Sequence, residues 1–308
     1  MIFRIICFDA SIENDELVKD KGASMKTKHI ENFNMELSRV AFGGVIVSDE
    51  TQKDANNYVA EAIDAGVNYF DVAPTYSDAE QRLGPALRGK RHDVFLACKT
   101  EDRSKDGAQN LLEQSLRNLE TDYFDLYQLH AVYNLEDVDK IFSKNGAFET
   151  FIKAKEKGLI KHIGFSAHST EAALALMDRY DFDSIMFPFN FVSLINNGYG
   201  DYVLKKALDK GMGILGIKSM ALTEHQKSDD INNPKAWYHP IEDKNLAKVA
   251  VNYSIDRGVD IIVPPGDINH FRWALEIMKS DLRLNDEDLH KLKEVAKTYK
   301  PLFPLKAR

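Results

Sequence analysis

Four side chains with complementary chemistry follow one another along the first half of the chain. Asp71 opens the run Asp71-Val-Ala-Pro-Thr-Tyr76, Lys99 closes Phe95-Leu-Ala-Cys-Lys99, and His130 closes Asp125-Leu-Tyr-Gln-Leu-His130. A tyrosine titrates near 10 and is a poor acid at neutral pH. An ammonium beside it favours the phenolate and lowers that value. Asp71 paired with Lys99 would hold the ammonium in place and keep it charged. His130 could donate a hydrogen bond to a carbonyl oxygen. Together the four would polarise a carbonyl and hand it a proton. The set has no reductant, so it implies a hydride-donating cofactor. Each residue alone has an ordinary structural reading: an Asp71–Lys99 ion pair, a rim histidine. Their convergence favours chemistry.

Convergence requires elements that bring distant segments together. From Arg39 onward, short apolar runs alternate with longer stretches of helical spacing. The runs predict strands at Arg39–Phe42, Asn68–Val72, Val94–Lys99, Phe124–His130, His162–Ser166, Ser184–Phe189, Gly213–Lys218 and Ile261–Pro264. Several intervening helices stop at a glycine, Gly66, Gly158, Gly211 and Gly258, where a left-handed C-cap carries no Cβ penalty. Continuous apolar strands separated by helices read as parallel strands buried on both faces. Eight such units predict an α/β fold, a (β/α)8 TIM barrel, which needs about 250 residues. We read residues 25–308 as this single barrel and residues 1–24 as an N-terminal extension outside the core. A last helix over Asp286–Tyr299 is expected to pack outside the barrel.

In such a barrel chemistry sits at the C-terminal strand ends. That rim adds Ser166 and His168 after strand five, Asn190 after strand six and Lys218 after strand seven. The connection Ala221–Asp243 is unusually long, and long loops in compact domains are commonly binding loops or lids. It carries Trp237, Tyr238, His225 and His239, read here as walls of an apolar or sugar-like pocket. Gly211-Met-Gly-Ile-Leu-Gly216 matches the dinucleotide glycine pattern but follows a helix and enters a strand, the reverse of what that pattern needs.

Composition narrows the partners. The 308 residues carry a net charge of -8, which repels phosphate backbones and argues against nucleic acid. No run of about eighteen apolar residues appears, so no membrane span is expected. Cys7 and Cys98 are the only cysteines, which suggests a reducing, cytoplasmic compartment and offers no zinc-type spacing. No metal site is expected, and oligomeric state is not readable.

The three runs above, together with Gly158-Leu-Ile-Lys-His-Ile-Gly-Phe-Ser166, resemble the aldo-keto reductase signature, over roughly residues 26–283. Pro264-Pro265-Gly266-Asp267, Phe271-Arg272 and Trp237-Tyr238-His-Pro240 resemble a little-characterised bacterial branch of that family. The resemblance implies a (β/α)8 barrel that uses a nicotinamide cofactor, mostly NADPH, on a small-molecule carbonyl substrate. It makes Tyr76 the general acid/base, Lys99 its tuning partner, Asp71 the partner of Lys99, and His130 the residue that orients the carbonyl. By the same resemblance Ser166 and Asn190 stand where members hold the nicotinamide carboxamide, although members commonly have Ser-Asn and Gln there. Lys218 replaces a ring-stacking tyrosine and would reach a phosphate or the substrate. Gly266, Asp267 and Arg272 fall where members hold the adenosine 2′-phosphate. Arg272 matches a phosphate in a bidentate fork, so NADPH is expected over NADH by a modest margin; its structural alternative is a pair with Glu276. Two other functions compete: a Schiff-base lyase or aldolase using Lys99 or Lys218, and a cofactor-binding regulatory barrel without turnover.

Overall fold

The computed structural model describes residues 24–226, 229 and 233–303, so all of the proposed extension except Ser24 lies outside the described residues. The eight apolar runs form eight parallel strands: β1 Phe42–Gly43, β2 Tyr69–Asp71, β3 Phe95–Thr100, β4 Phe124–Val132, β5 Ile160–Ala167, β6 Ser184–Pro188, β7 Gly213–Ile217 and β8 Ile261–Val263. They pair in chain order from β1 to β8. The circle closes through Val40, which bridges Ile262 in parallel. There the Ala41 N–H donates to Ile262 O, and the Ile262 N–H donates to Arg39 O, each at 2.9 Å. The expected barrel is therefore present. Its first strand is shorter than expected: residues 39–41 join the barrel through this closing bridge rather than as part of the strand.

The pleat sorts side chains into two layers. On β3, Phe95 and Ala97 join the barrel interior with Tyr69, Leu126, Met186 and Leu215. Leu96 and Cys98 instead face the helical layer. Lys99 continues the interior series and is fully buried. Cys98 thus points away from Lys99 and lies 3.5 Å from Glu80 Oε1. The helices are started by side-chain caps, among them Thr51, Ser104, Ser169 and Asp243, each accepting a first-turn N–H. Such a cap contributes about 1 kcal/mol. Gly211 lies at φ +65 and ends a helix ahead of β7, the punctuation expected of it.

Two features were not anticipated. Thr27–Ile30 pairs antiparallel with Met35–Ser38. Ile30, Phe33 and Leu37 of this hairpin close the N-terminal end of the barrel against Tyr69, Phe95 and Ile261. The long connection after β7 contains its own ribbon, Ala221–Glu224 against Tyr238–Pro240. The C-terminal helix, Asp286–Lys297, lies outside the barrel on the short helix Phe191–Asn197, where Asn196 Nδ2 donates to Ala296 O at 2.7 Å.

Candidate active site

The C-terminal ends of β2, β3 and β4 bring the four predicted residues together. Lys99 Nζ binds Asp71 Oδ2 inside the barrel, with both side chains almost wholly buried. The same ammonium donates to Val72 O at 3.3 Å and lies 3.4 Å from the Tyr76 hydroxyl. Burial alone would lower the Lys99 pKa; Asp71 and Tyr76 together outweigh it and hold the ammonium above its ordinary value. The His130 ring stands edge-on to Tyr76, centroids 5.8 Å apart. Its Nδ1 is 3.5 Å from Thr75 Oγ1. Burial, with the positive charge of Lys99, pushes His130 well below the usual histidine range, so its ring is neutral at neutral pH.

The tyrosine differs from expectation. Burial pushes the Tyr76 phenol up, and Lys99 offsets only part of that rise. At neutral pH Tyr76 therefore keeps its proton. Sequence reasoning also missed Gln128. It lies two residues before His130 on β4, hence on the same face, and its Nε2 donates to Asp71 Oδ1 at 3.2 Å.

Asp71, Tyr76 and His130 line a cavity of about 510 Å³ that reaches to Gly266, with Lys99 and Gln128 behind its wall. Ser166 and His168 belong to its wall. Ser166 Oγ accepts from the Ala131 N–H at 2.7 Å, which pins Ala131 at φ +51. Tyr238 lines the cavity and is buried, whereas Trp237 sits at the mouth, 48% exposed. Gly266 is needed for close approach: a Cβ there would stand 2.3 Å from Val45 Cγ1.

Other expected contributors are otherwise engaged. Asn190 is fully buried and spends its amide inside the protein. It donates to Ala221 O at 2.6 Å and Lys218 O at 3.2 Å, and accepts from the Ser193 N–H at 3.0 Å as a helix cap. No free amide is left for a carboxamide. Asp267 caps the helix Ile268–Lys279, accepting from the Asn269 and His270 N–H groups at 3.0 Å. Its other oxygen accepts from His270 Nδ1 at 2.6 Å and Asn233 Nδ2 at 2.7 Å. Two of the N–H groups at this helix start are thus already satisfied from within the protein. Arg272 forms a two-pronged pair with Glu61, both contacts 2.8 Å, not with Glu276, which is held by Lys244. His225 and His239 do not wall the cavity. They clasp the ribbon with Asp229, His225 Nδ1 to His239 Nε2 at 3.2 Å and His239 Nε2 to Asp229 Oδ2 at 2.6 Å.

Among the described residues no helix is long and apolar enough to cross a membrane.

The model of the aldo/keto reductase family matches residues 39–300. The chain is 26% identical over 254 residues to L-galactose dehydrogenase of Arabidopsis thaliana, covering 75% of each chain. It is 29% identical over 180 residues to the uncharacterized oxidoreductase YqkF of Bacillus subtilis, spanning 54% of this chain and 56% of that protein. The holo form of aldo-keto reductase AKR11C1 from Bacillus halodurans superposes with a TM-score of 0.70 at 21% identity, over 91% of this chain and all of that one.

Proposed function

The chain belongs to the aldo/keto reductase family, and on that premise we propose that it reduces an aldehyde or ketone to an alcohol with a nicotinamide cofactor. The observation that carries this reading is the buried Asp71–Lys99 pair reaching a half-buried Tyr76 beside a neutral His130, at the 510 Å³ cavity. The cofactor, when bound, would supply the hydride. Tyr76 would give its proton to the carbonyl oxygen as negative charge develops there. Lys99, held charged by Asp71, would stabilise the phenolate left behind. Were Thr75 Oγ1 to donate to Nδ1, His130 would carry its proton on Nε2 and donate from there to the carbonyl.

The residues fit this cofactor in part. Ser166, Gly266 and the depth of the cavity suit it, while Asn190 is spent. NADPH over NADH remains our reading on the strength of Arg272. The Arg272–Glu61 pair is partly exposed, and such pairs contribute about 0–1 kcal/mol. A doubly charged 2′-phosphate would compete for the guanidinium. Cytoplasmic location and a small-molecule carbonyl substrate belong to the same proposal, as does an N-terminal extension dispensable for the barrel.

The test is a panel of carbonyl compounds followed by loss of reduced-cofactor absorbance. Turnover that survives Tyr76→Phe at near-normal rates would remove the assignment. A Schiff-base reaction on Lys99 is disfavoured because Asp71 keeps that amine protonated. Lys218, which burial lowers to about 8, gives the lyase reading its one supporting observation. Borohydride trapping of an aldehyde on Lys218 would establish that reading, and absence of an adduct would end it.

A further inference from the structure

One cation at this site has no anionic partner among the described residues. Lys99 is held by Asp71, Arg103 by Asp137 at 3.5 Å and Lys235 by Glu50 at 2.7 Å. Lys218 makes no ion pair or hydrogen bond from its ammonium to any described residue. It lies instead over the rings of Tyr238 and Trp237, 4.3 and 5.4 Å from their centroids. Cation–π contact is favourable, but by less than the cost of withdrawing an unpaired ammonium from water. The lowering of its pKa has burial as its cause, and no carboxylate among the described residues offsets it.

The backbone is also strained to present it. Lys218 sits at φ +64, a left-handed region disfavoured for a residue with a Cβ. Its carbonyl is pinned from two sides, by Asn190 Nδ2 at 3.2 Å and the Ala221 N–H at 3.1 Å. Strain that the surroundings over-determine marks a site that uses it. In a closed ring of eight strands β7 stands diametrically across from β3. Lys218 therefore faces the cavity from the wall opposite Lys99 and its neighbours. His168, in electrostatic reach, adds no second positive charge, because burial and Lys218 itself lower it to about 4.

We propose that Lys218 is an anion subsite for the substrate: the compound reduced carries a carboxylate that rests on Lys218 while its carbonyl lies between Tyr76 and His130. The inference rests on the carbonyl-reductase reading for its second half and on the cavity alone for its first. The same anion chemistry could come from the cofactor diphosphate, so the experiment separates the two sources.

Matched probes of one shape, 4-formylbenzoate and 4-formylbenzamide, are compared as substrates of the wild type, Lys218→Met and Lys218→Arg. In parallel each probe is titrated against the fluorescence of Trp237, beside the ammonium, and both nicotinamide cofactors are titrated for affinity. We expect at least a tenfold preference in kcat/KM for the carboxylate, loss of that preference in Lys218→Met, retention in Lys218→Arg, and unchanged cofactor affinity. Equal use of the two probes by wild type overturns the proposal. So does a Lys218→Met variant that weakens cofactor binding while keeping the preference, since the lysine then serves the diphosphate. If no carbonyl is turned over but 4-formylbenzoate alone perturbs Trp237 in a Lys218-dependent way, the anion subsite stands and the reductase reading falls. If neither turnover nor perturbation appears, the subsite itself is refuted. Should Lys218→Met fail to fold, the wild-type ratio and Lys218→Arg decide.

Discussion

Gln128 donates from Nε2 to Asp71 Oδ1 across 3.2 Å, while Lys99 takes the other oxygen, Oδ2. The carboxylate is thereby held on both sides and aims at the ammonium rather than swinging about its own axis. Hydrogen bonds to charged groups contribute about 1.5–3 kcal/mol. Gln128→Leu is expected to reduce kcat roughly tenfold with little change in cofactor affinity, a drop that corresponds to ~1.4 kcal/mol. Because the residue acts through Asp71, the pH–rate profile should also move, which simple loss of packing would not cause. An unmoved profile with unchanged kcat would show that Lys99 alone positions Asp71.

Tyr76 holds its proton because burial outweighs the ammonium 3.4 Å away. Tyr76→Phe keeps the ring and removes that proton. Turnover should fall by about 10²–10⁴-fold, the usual contribution of a general acid, with cofactor affinity preserved. Lys99→Met should also abolish most turnover and, by leaving Asp71 buried without its cation, should lower the melting temperature, whereas Tyr76→Phe should not. Equal destabilisation by both variants would contradict the pairing of roles.

Much of this site was readable in advance, for local reasons. Asp71, Lys99 and His130 each end a continuous apolar run, and a buried parallel strand needs no partner information to announce itself. Strand β3 is found at Phe95–Thr100 against an expected Val94–Lys99. What escaped depends on contacts distant in sequence. Arg272 meets Glu61 from 211 residues away, so its near neighbour Glu276 looked the better partner. The hairpin of residues 27–38 is made of two strands of four residues each, too short for periodicity to show, and exists to cover the barrel's lower end. Asn190 has the right chemistry for an amide site. Its occupation by Ala221 and Lys218 follows from how the β7 connection turns, which composition does not encode.

The Arg272–Glu61 pair sets a prediction on cofactor choice. Glu61 is held below the usual carboxylate range by its bonds to Arg272 and so stays charged. On the proposed reading, a charged Glu61 would repel a phosphate approaching Arg272. Glu61→Gln is therefore expected to tighten NADPH binding several-fold and leave NADH alone, while Arg272→Ala should weaken NADPH selectively. Titrations of both cofactors against the three proteins check this. If neither variant alters the NADPH-to-NADH ratio, Arg272 does not read the 2′-phosphate.

His168 gives a stability prediction with a definite sign. Its ring stacks between Tyr133 and Phe303, at 5.3 and 5.7 Å, and burial, reinforced by Lys218, lowers it from 6.5 to about 4. A depressed folded-state value means that the unfolded chain binds this proton first. Stability from a neutral His168 is complete above pH 6.5 and is lost as pH falls toward 4. At about 1.4 kcal/mol per pKa unit, the loss from this residue should reach about 2 kcal/mol near pH 5. His168→Phe keeps a flat ring between Tyr133 and Phe303 and has no proton to take up. Its unfolding free energy should therefore fall less than that of the wild type between neutral pH and pH 5, measured by denaturant titration at each pH. The fall will not vanish, because His130 is depressed in the same direction. Parallel losses in the two proteins would show that His168 titrates normally and that the stack is open to water.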